Sequence, residues 1–284
     1  KMKSIIKNIT PNDIINYPFP HLDIQSALPD NLINQLLDEI PSKQILNQYF
    51  DNNSLKLSSA INFDVDKLES LGLKIETLKE FIEVHSNSEF KNDILNLFND
   101  YLNRNFPLLK TELIEAVKTE LFVNPFKTKV SSVNNNENTF VRGPHLDDAV
   151  DVAVFLFYLK KNEDVVVGGS LDLYEYNEKF NGFRRDIWWD DREIHQNYVK
   201  KIKSIPYENN RFVMLLDGIN SIHGVTPISS ESSGYRYRIS GGISTPSKYR
   251  HYNYKSYLNN FEKTLDTLGI IRQKIIRKYR KFNT

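Results

Sequence analysis

Between residues 28 and 106, apolar side chains recur every three or four positions, the spacing that gathers one face of an α-helix. Asp30 stands as a capping residue before LINQLLDEI, and Pro41 closes that run. Further helices are predicted over Ile75–Val84, over Asp93–Phe106 and, after Pro107, over LLKTELIEAV. From about Leu121 the pattern becomes that of strands: KTKVSSV, the turn-forming NNNENT, then TFVRGPHLDD. Val152–Leu159 is apolar almost throughout and rich in branched and aromatic residues, as a strand covered on both faces is. Gly168-Gly169 interrupts VVVGGSLDLYEY at a turn or bulge, and RFVMLLDGINSIHGVTPI and YRYRISGGI supply two more strand regions. Helical spacing returns from Tyr254 to Phe282, where Leu258, Phe261, Leu265 and Leu268 form a stripe beside a basic, solvated face.

Short strands punctuated by Gly and Pro favour a barrel or jelly roll over a parallel sheet. The expected class is therefore α+β. A mainly helical region spans 1–120, a jelly-roll core spans 121–250 with an insertion at 177–200, and a C-terminal basic helix spans 251–284.

Composition removes several kinds of chemistry. The chain has 284 residues, enough for a substantial core, and its 37 basic and 36 acidic side chains leave a net charge of +1. That balance offers no footprint for duplex nucleic acid. With no cysteine, disulfides, zinc–thiolate sites and thiol nucleophiles are excluded, so any metal must sit on His, Asp or Glu. No apolar run reaches the length of a signal-peptide core or a membrane span, and a soluble, cytoplasmic protein is expected.

Six histidines remain as metal-site candidates: His21, His85, His145, His195, His223 and His251. Residues two apart in an extended segment face the same side, so His145 and Asp147 can grip one ion while Asp148 points away. His223, in GINSIHGVTPI, can bring the third ligand. Two His and one carboxylate bind one face of octahedral Fe(II) and leave positions for a chelating cosubstrate and dioxygen. In YRYRISGG, Arg236, Arg238 and Ser240 share one strand face. A buried arginine is costly unless an anion meets it, and a dicarboxylate offers a bidentate partner.

Taken in order, GPHLDD, FLFYLKKNED, GGSLDLYEY, NRFVMLLDGINSIHGVTPI and GYRYRISGGI resemble the prolyl-4-hydroxylase-like branch of the Fe(II)/2-oxoglutarate oxygenases. PFPHLDIQSALPDNLINQLLDEIPS resembles, more loosely, the opening of bacterial and phage members. The resemblance implies a double-stranded β-helix with helices outside. It further implies Fe(II) on His145, Asp147 and His223, with 2-oxoglutarate and O2 as cosubstrates and ascorbate as a stimulant. Arg236, with Tyr158 assisting, matches the residues that hold the distal carboxylate of 2-oxoglutarate; Arg238 stands where relatives carry a small residue, which leaves the choice of arginine open. Relatives that halogenate lack the carboxylate ligand, so Asp147 favours hydroxylation. Gly242 stands where many relatives carry Trp, which loosens any transfer of substrate.

The expected substrate is peptidyl or a small molecule; the other reading is a non-catalytic jelly-roll sensor or scaffold. Trp188 and Trp189, both in the insertion, are read either as a lid or as rings packed on the helices.

Overall fold

The computed structural model describes residues 2–52, 61–106, 109–125, 143–177, 194, 198–229 and 231–246, together with 260 and 264. Nine strands fall within them: β1 (His21–Gln25), β2 (Ile61–Phe63), β3 (Glu115–Pro125), β4 (Asp151–Leu159), β5 (Leu171–Tyr176), β6 (Val199–Ile205), β7 (Arg211–Leu216), β8 (His223–Val225) and β9 (Tyr235–Ser244). They pair antiparallel in a large sheet, β1-β7-β4-β9-β3-β2, and a small one, β6-β5-β8. A bridge between His145 and His223 adds the segment before β4 to the edge of the small sheet. From β3 onward the chain thus crosses between the sheets at almost every step. That alternation is the strand order of a double-stranded β-helix, the jelly roll.

Pairing register sorts the side chains of the large sheet. Phe155, Phe157, Phe212, Met214, Ile239, Leu121 and Val123 face outward and join one core with the helices α1 (Asp30–Glu39), α2 (Lys43–Asn52), α3 (Val65–Ser70), α4 (Glu76–Val84), α5 (Ser88–Leu97) and α6 (Asn99–Asn105). Phe81 of α4 stacks on Phe157 with ring centroids 5.0 Å apart, and Phe90 of α5 meets Phe155 edge-on at 5.6 Å. Losing either ring would cost about 3–5 kcal/mol. The opposite face of the sheet points toward the small sheet, where Tyr158, Val213 and Leu215 meet Leu171, Leu173 and Ile205. This face carries the site.

The helix expected over LLKTELIEAV does not form. One 3-10 turn spans Thr111–Leu113, and from Glu115 the chain is strand β3, paired along its length with β9. Branched Val117, Thr119 and Val123 suit a strand, and pairing on both edges outweighs a short helical pattern. The run Asp93–Phe106 is two helices that part at Phe98. Asp30 opens α1 as its first residue, with Pro29 at the cap position. Helices α2 and α3 and strands β1, β2 and β6 lie where no element was predicted.

Gly168 and Gly169 do form a turn, at φ +90° and +74°, and a Cβ on Gly168 would stand 2.0 Å from the Pro227 carbonyl oxygen. The expected strand in KTKVSSV, Trp188, Trp189, His195, His251 and nearly all of the C-terminal helix lie outside the described residues. No described helix is long and apolar enough to cross a membrane.

Candidate metal centre

Alternation around position 146 aims the first two ligands. Leu146 turns outward to pack with Ile194, Val199 and Ile222. Its neighbours His145 and Asp147 therefore point between the sheets, as two-residue spacing requires. The His145–His223 bridge, with backbone bonds of 2.8 and 3.0 Å, sets the two histidines side by side, ring centroids 4.3 Å apart. Asp147 completes the group: Oδ1 lies 3.8 Å from His145 Nε2, and Oδ2 lies 3.4 Å from His223 Nε2. One donor atom from each of the three falls within 4.8 Å of the others. Asp148 instead joins a turn, its N–H donating to Asp151 Oδ2 at 3.2 Å.

The histidine tautomers suit a metal. His145 Nδ1 lies 2.8 Å from the Gly143 carbonyl oxygen, and His223 Nδ1 lies 2.9 Å from that of Ser221. A carbonyl only accepts, so each Nδ1 carries the proton and each Nε2 keeps its lone pair for the ion. The Ser221 carbonyl is itself held in place, because Ser221 Oγ accepts from the Gly218 N–H at 2.9 Å and contacts Asp217 Oδ1 at 2.7 Å. Burial first, and the charge of Asp147 second, push the Asp217 carboxyl well above the usual carboxylate range. Backbone acceptors that orient metal-binding histidines are what an ion site needs around its ligands.

Two buried arginines share the inner face of the large sheet, and they differ in what meets them. Arg211 donates to Asp23 through Nε at 2.8 Å and Nη2 at 2.9 Å, a bidentate pair. Arg236 is 3% exposed, yet its Nε and Nη2 have no hydrogen-bond partner among the described residues. Its guanidinium lies 4.9 Å from the Tyr158 ring centroid and 5.0 Å from that of Tyr207. The Tyr158 hydroxyl is buried and likewise unpartnered, whereas the Tyr207 hydroxyl donates to the Leu159 carbonyl oxygen. Two guanidinium N–H groups and one phenol thus have no partner among the described residues. Such a cluster persists where a ligand supplies the missing acceptor. Arg238 is less buried and lies over Phe122, 4.9 Å from the ring centroid.

Sequence reasoning missed Lys118, Glu120 and Asp151, which line a cavity beside Asp147. The first two sit on β3 just past Val117, where the helix expected over LLKTELIEAV ended. The signal present was the run of branched residues from Val117 to Val123.

No family model matches the chain, and no curated protein does. Among solved structures, a prolyl 4-hydroxylase from Phytophthora capsici is 16% identical over 88% of this chain and 68% of its own, with a TM-score of 0.39. One from Pseudomonas putida is 13% identical over 80% and 93%, also at 0.39. The non-heme α-ketoglutarate-dependent epimerase SnoN of nogalamycin biosynthesis is 8% identical over 79% and 76%, at 0.40. Likenesses this slight leave the argument to the chain itself, whose strand order alone makes it a double-stranded β-helix protein.

Proposed function

We propose that the protein is an Fe(II)- and 2-oxoglutarate-dependent oxygenase that hydroxylates a peptidyl or small-molecule substrate. The observation that carries this reading is the unpartnered Arg236–Tyr158 cluster, on the inner sheet face toward which the His145–Asp147–His223 triad points. A metal site alone explains the triad. Only a site that also takes an anionic cosubstrate explains a buried guanidinium left without a carboxylate, and a scaffold without turnover has no use for one.

The residues fit the ion. Two Nε2 atoms and one carboxylate leave half of an octahedron open, the arrangement suited to iron that must bind a chelating keto acid and dioxygen. When bound, iron and 2-oxoglutarate supply the oxidising power: the substrate C–H and O2 become C–OH, and 2-oxoglutarate becomes succinate and carbon dioxide. The chain's own part is positional. Gly143 and Ser221 fix the imidazole tautomers. Arg236 would hold the distal carboxylate of 2-oxoglutarate through its unpartnered Nε and Nη2, with the Tyr158 hydroxyl assisting. Leu171, Leu173, Val213 and Leu215 exclude water around them.

The test is anaerobic addition of Fe(II) and 2-oxoglutarate, followed by release of succinate on admitting air. A weak visible charge-transfer band that disappears in His223→Ala is the expected result. An undiminished band in that variant would remove His223 from the ligand set.

A further inference from the structure

No described carboxylate holds Arg236, so another restraint must fix a long, desolvated side chain whose donors stay free. Arg211 shows the usual solution, in which Nε and Nη2 are spent on Asp23. Around Arg236 the restraint is aromatic. Its guanidinium carbon lies 4.9 Å from the Tyr158 centroid and 5.0 Å from that of Tyr207, and the two rings stand 5.3 Å apart at 84°. The cation therefore sits in a corner between two rings nearly at right angles. Ring quadrupoles attract its charge and leave Nε and Nη2 without an acceptor, free for an anion.

Tyr207 does more than supply one wall of that corner. It stands in the turn between β6 and β7, buried, and its hydroxyl reaches the end of the β4–β9 ladder. There it accepts from the Tyr237 N–H at 3.0 Å and donates to the Leu159 carbonyl oxygen at 2.5 Å. Leu159 and Tyr237 are partners in register, the last pair of the two strands. Leu159 follows Tyr158 in the chain, and Tyr237 follows Arg236. One phenol thus fixes the backbone beside both groups that lack a described partner, while its ring meets both side chains. The turn has ties of its own: the Asn210 N–H donates to the Tyr158 carbonyl oxygen at 3.0 Å, and Asn209 Oδ1 accepts from the Lys160 N–H at 3.1 Å.

We propose that Tyr207 is a positioning residue for the cosubstrate. It holds Arg236 and Tyr158 in the arrangement that receives the distal carboxylate of 2-oxoglutarate, and so sets the preference for a dicarboxylate over a monocarboxylate keto acid. The inference rests on reading Arg236 as the anion anchor. Without Tyr207, the ligand itself must order a rotamer-rich side chain, and affinity falls by what that ordering costs.

The probes are 2-oxoglutarate and 2-oxopentanoate, which share the chelating keto-acid end and the chain length but not the distal carboxylate. Anaerobic calorimetry on the Fe(II)-loaded protein reads the affinity of each, and a melt of the metal-free protein reads folding. Tyr207→Leu should weaken 2-oxoglutarate about tenfold or more and 2-oxopentanoate less than about threefold. Tyr207→Phe keeps the ring but not the bridge; it should narrow the ratio of the two affinities by about threefold, and it decides alone if Tyr207→Leu does not fold. Equal weakening of both keto acids would make Tyr207 an ordinary core residue, and an unchanged ratio would remove it from the site; either overturns the inference. Arg236→Leu is titrated beside them. Loss of 2-oxoglutarate affinity in that variant but in neither Tyr207 variant overturns the positioning role alone, and no loss in any of the three overturns the cosubstrate reading with it.

Discussion

Replacing Arg236 by leucine should move two quantities in directions that a structural arginine would not. In the protein without metal, Arg236 is a desolvated cation that no described carboxylate meets, held over Tyr158 and Tyr207. Leucine forfeits the cation–π contacts, about 1–2 kcal/mol together, but relieves a charge whose burial costs several kcal/mol. The melting temperature of the metal-free variant should therefore hold or rise. Cosubstrate binding should fall sharply. Two charge-assisted bonds from Nε and Nη2, at about 1.5–3 kcal/mol each, overlap the roughly 2–5 kcal/mol lost when such pairs are broken. That range is a loss of between about thirtyfold and a few thousandfold in 2-oxoglutarate affinity. Arg211→Leu is the control: it removes a bidentate pair from Asp23, whose side chain is 8% exposed, leaves Lys203 at 3.2 Å as its cation, and should destabilise by about 1.5–3 kcal/mol. Arg238→Leu should weaken cosubstrate binding less than Arg236→Leu does. Melts and anaerobic titrations of the three variants decide the matter. If Arg236→Leu loses as much stability as Arg211→Leu and binds 2-oxoglutarate normally, the guanidinium is architectural and the anion site is elsewhere.

Further outcomes follow from groups near and far from the metal. Ser221→Ala removes the hydroxyl that steadies the carbonyl behind His223 and should weaken Fe(II) or Co(II) binding about 10–100-fold with His223 itself intact; unchanged affinity would show that the turn holds without it. His85 accepts from the Ile5 N–H through Nε2 and donates to Phe81 through Nδ1; burial depresses it from 6.5 to about 4. Its unfolded form protonates first, so this contribution is full above pH 6.5 and falls by about 3 kcal/mol as pH drops to 4, a slope that His85→Leu should lack in urea titrations. Asp164 behaves oppositely. Burial raises it from 3.8 to about 6, so the folded state holds its proton more tightly, and stability falls by about 3 kcal/mol as pH rises through that window. Asp164→Asn should abolish that loss, and an unaltered pH profile would disprove the assignment.

How far the sequence showed all this differs between the two faces of the large sheet. Ligand spacing was legible because it is local: His145 and Asp147 are two apart, and the pleat aims both inward while Leu146 packs outside. That His223 joins them depends on a bridge between segments far apart in sequence, and family resemblance supplied what periodicity could not. The two arginines of YRYRISGG were inseparable on the same grounds, since strand alternation gives them one face. Depth separates them, and depth comes from Tyr207, a residue with no sequence signature that closes over Arg236. The error at LLKTELIEAV had a wider consequence. Ending a helix at Val117 and starting the strands near Leu121 left Lys118 and Glu120 on no element, and with them the acidic side of the cavity.

The division of labour between those faces explains how an unpartnered cation survives in a folded chain. Phenylalanines 81, 90, 155, 157 and 212 lie on the helix side, where nothing catalytic constrains their packing. That side carries the larger of the buried apolar clusters. The inner face holds groups that cost stability: Arg236 and the Tyr158 hydroxyl, without partners among the described residues, and a carboxylate wedged between two imidazoles. A substitution on the helix side should therefore unfold the protein without altering its ligand preferences. One at the inner polar groups should change binding at little cost to folding, unless, like Arg211, it already has its partner in the chain.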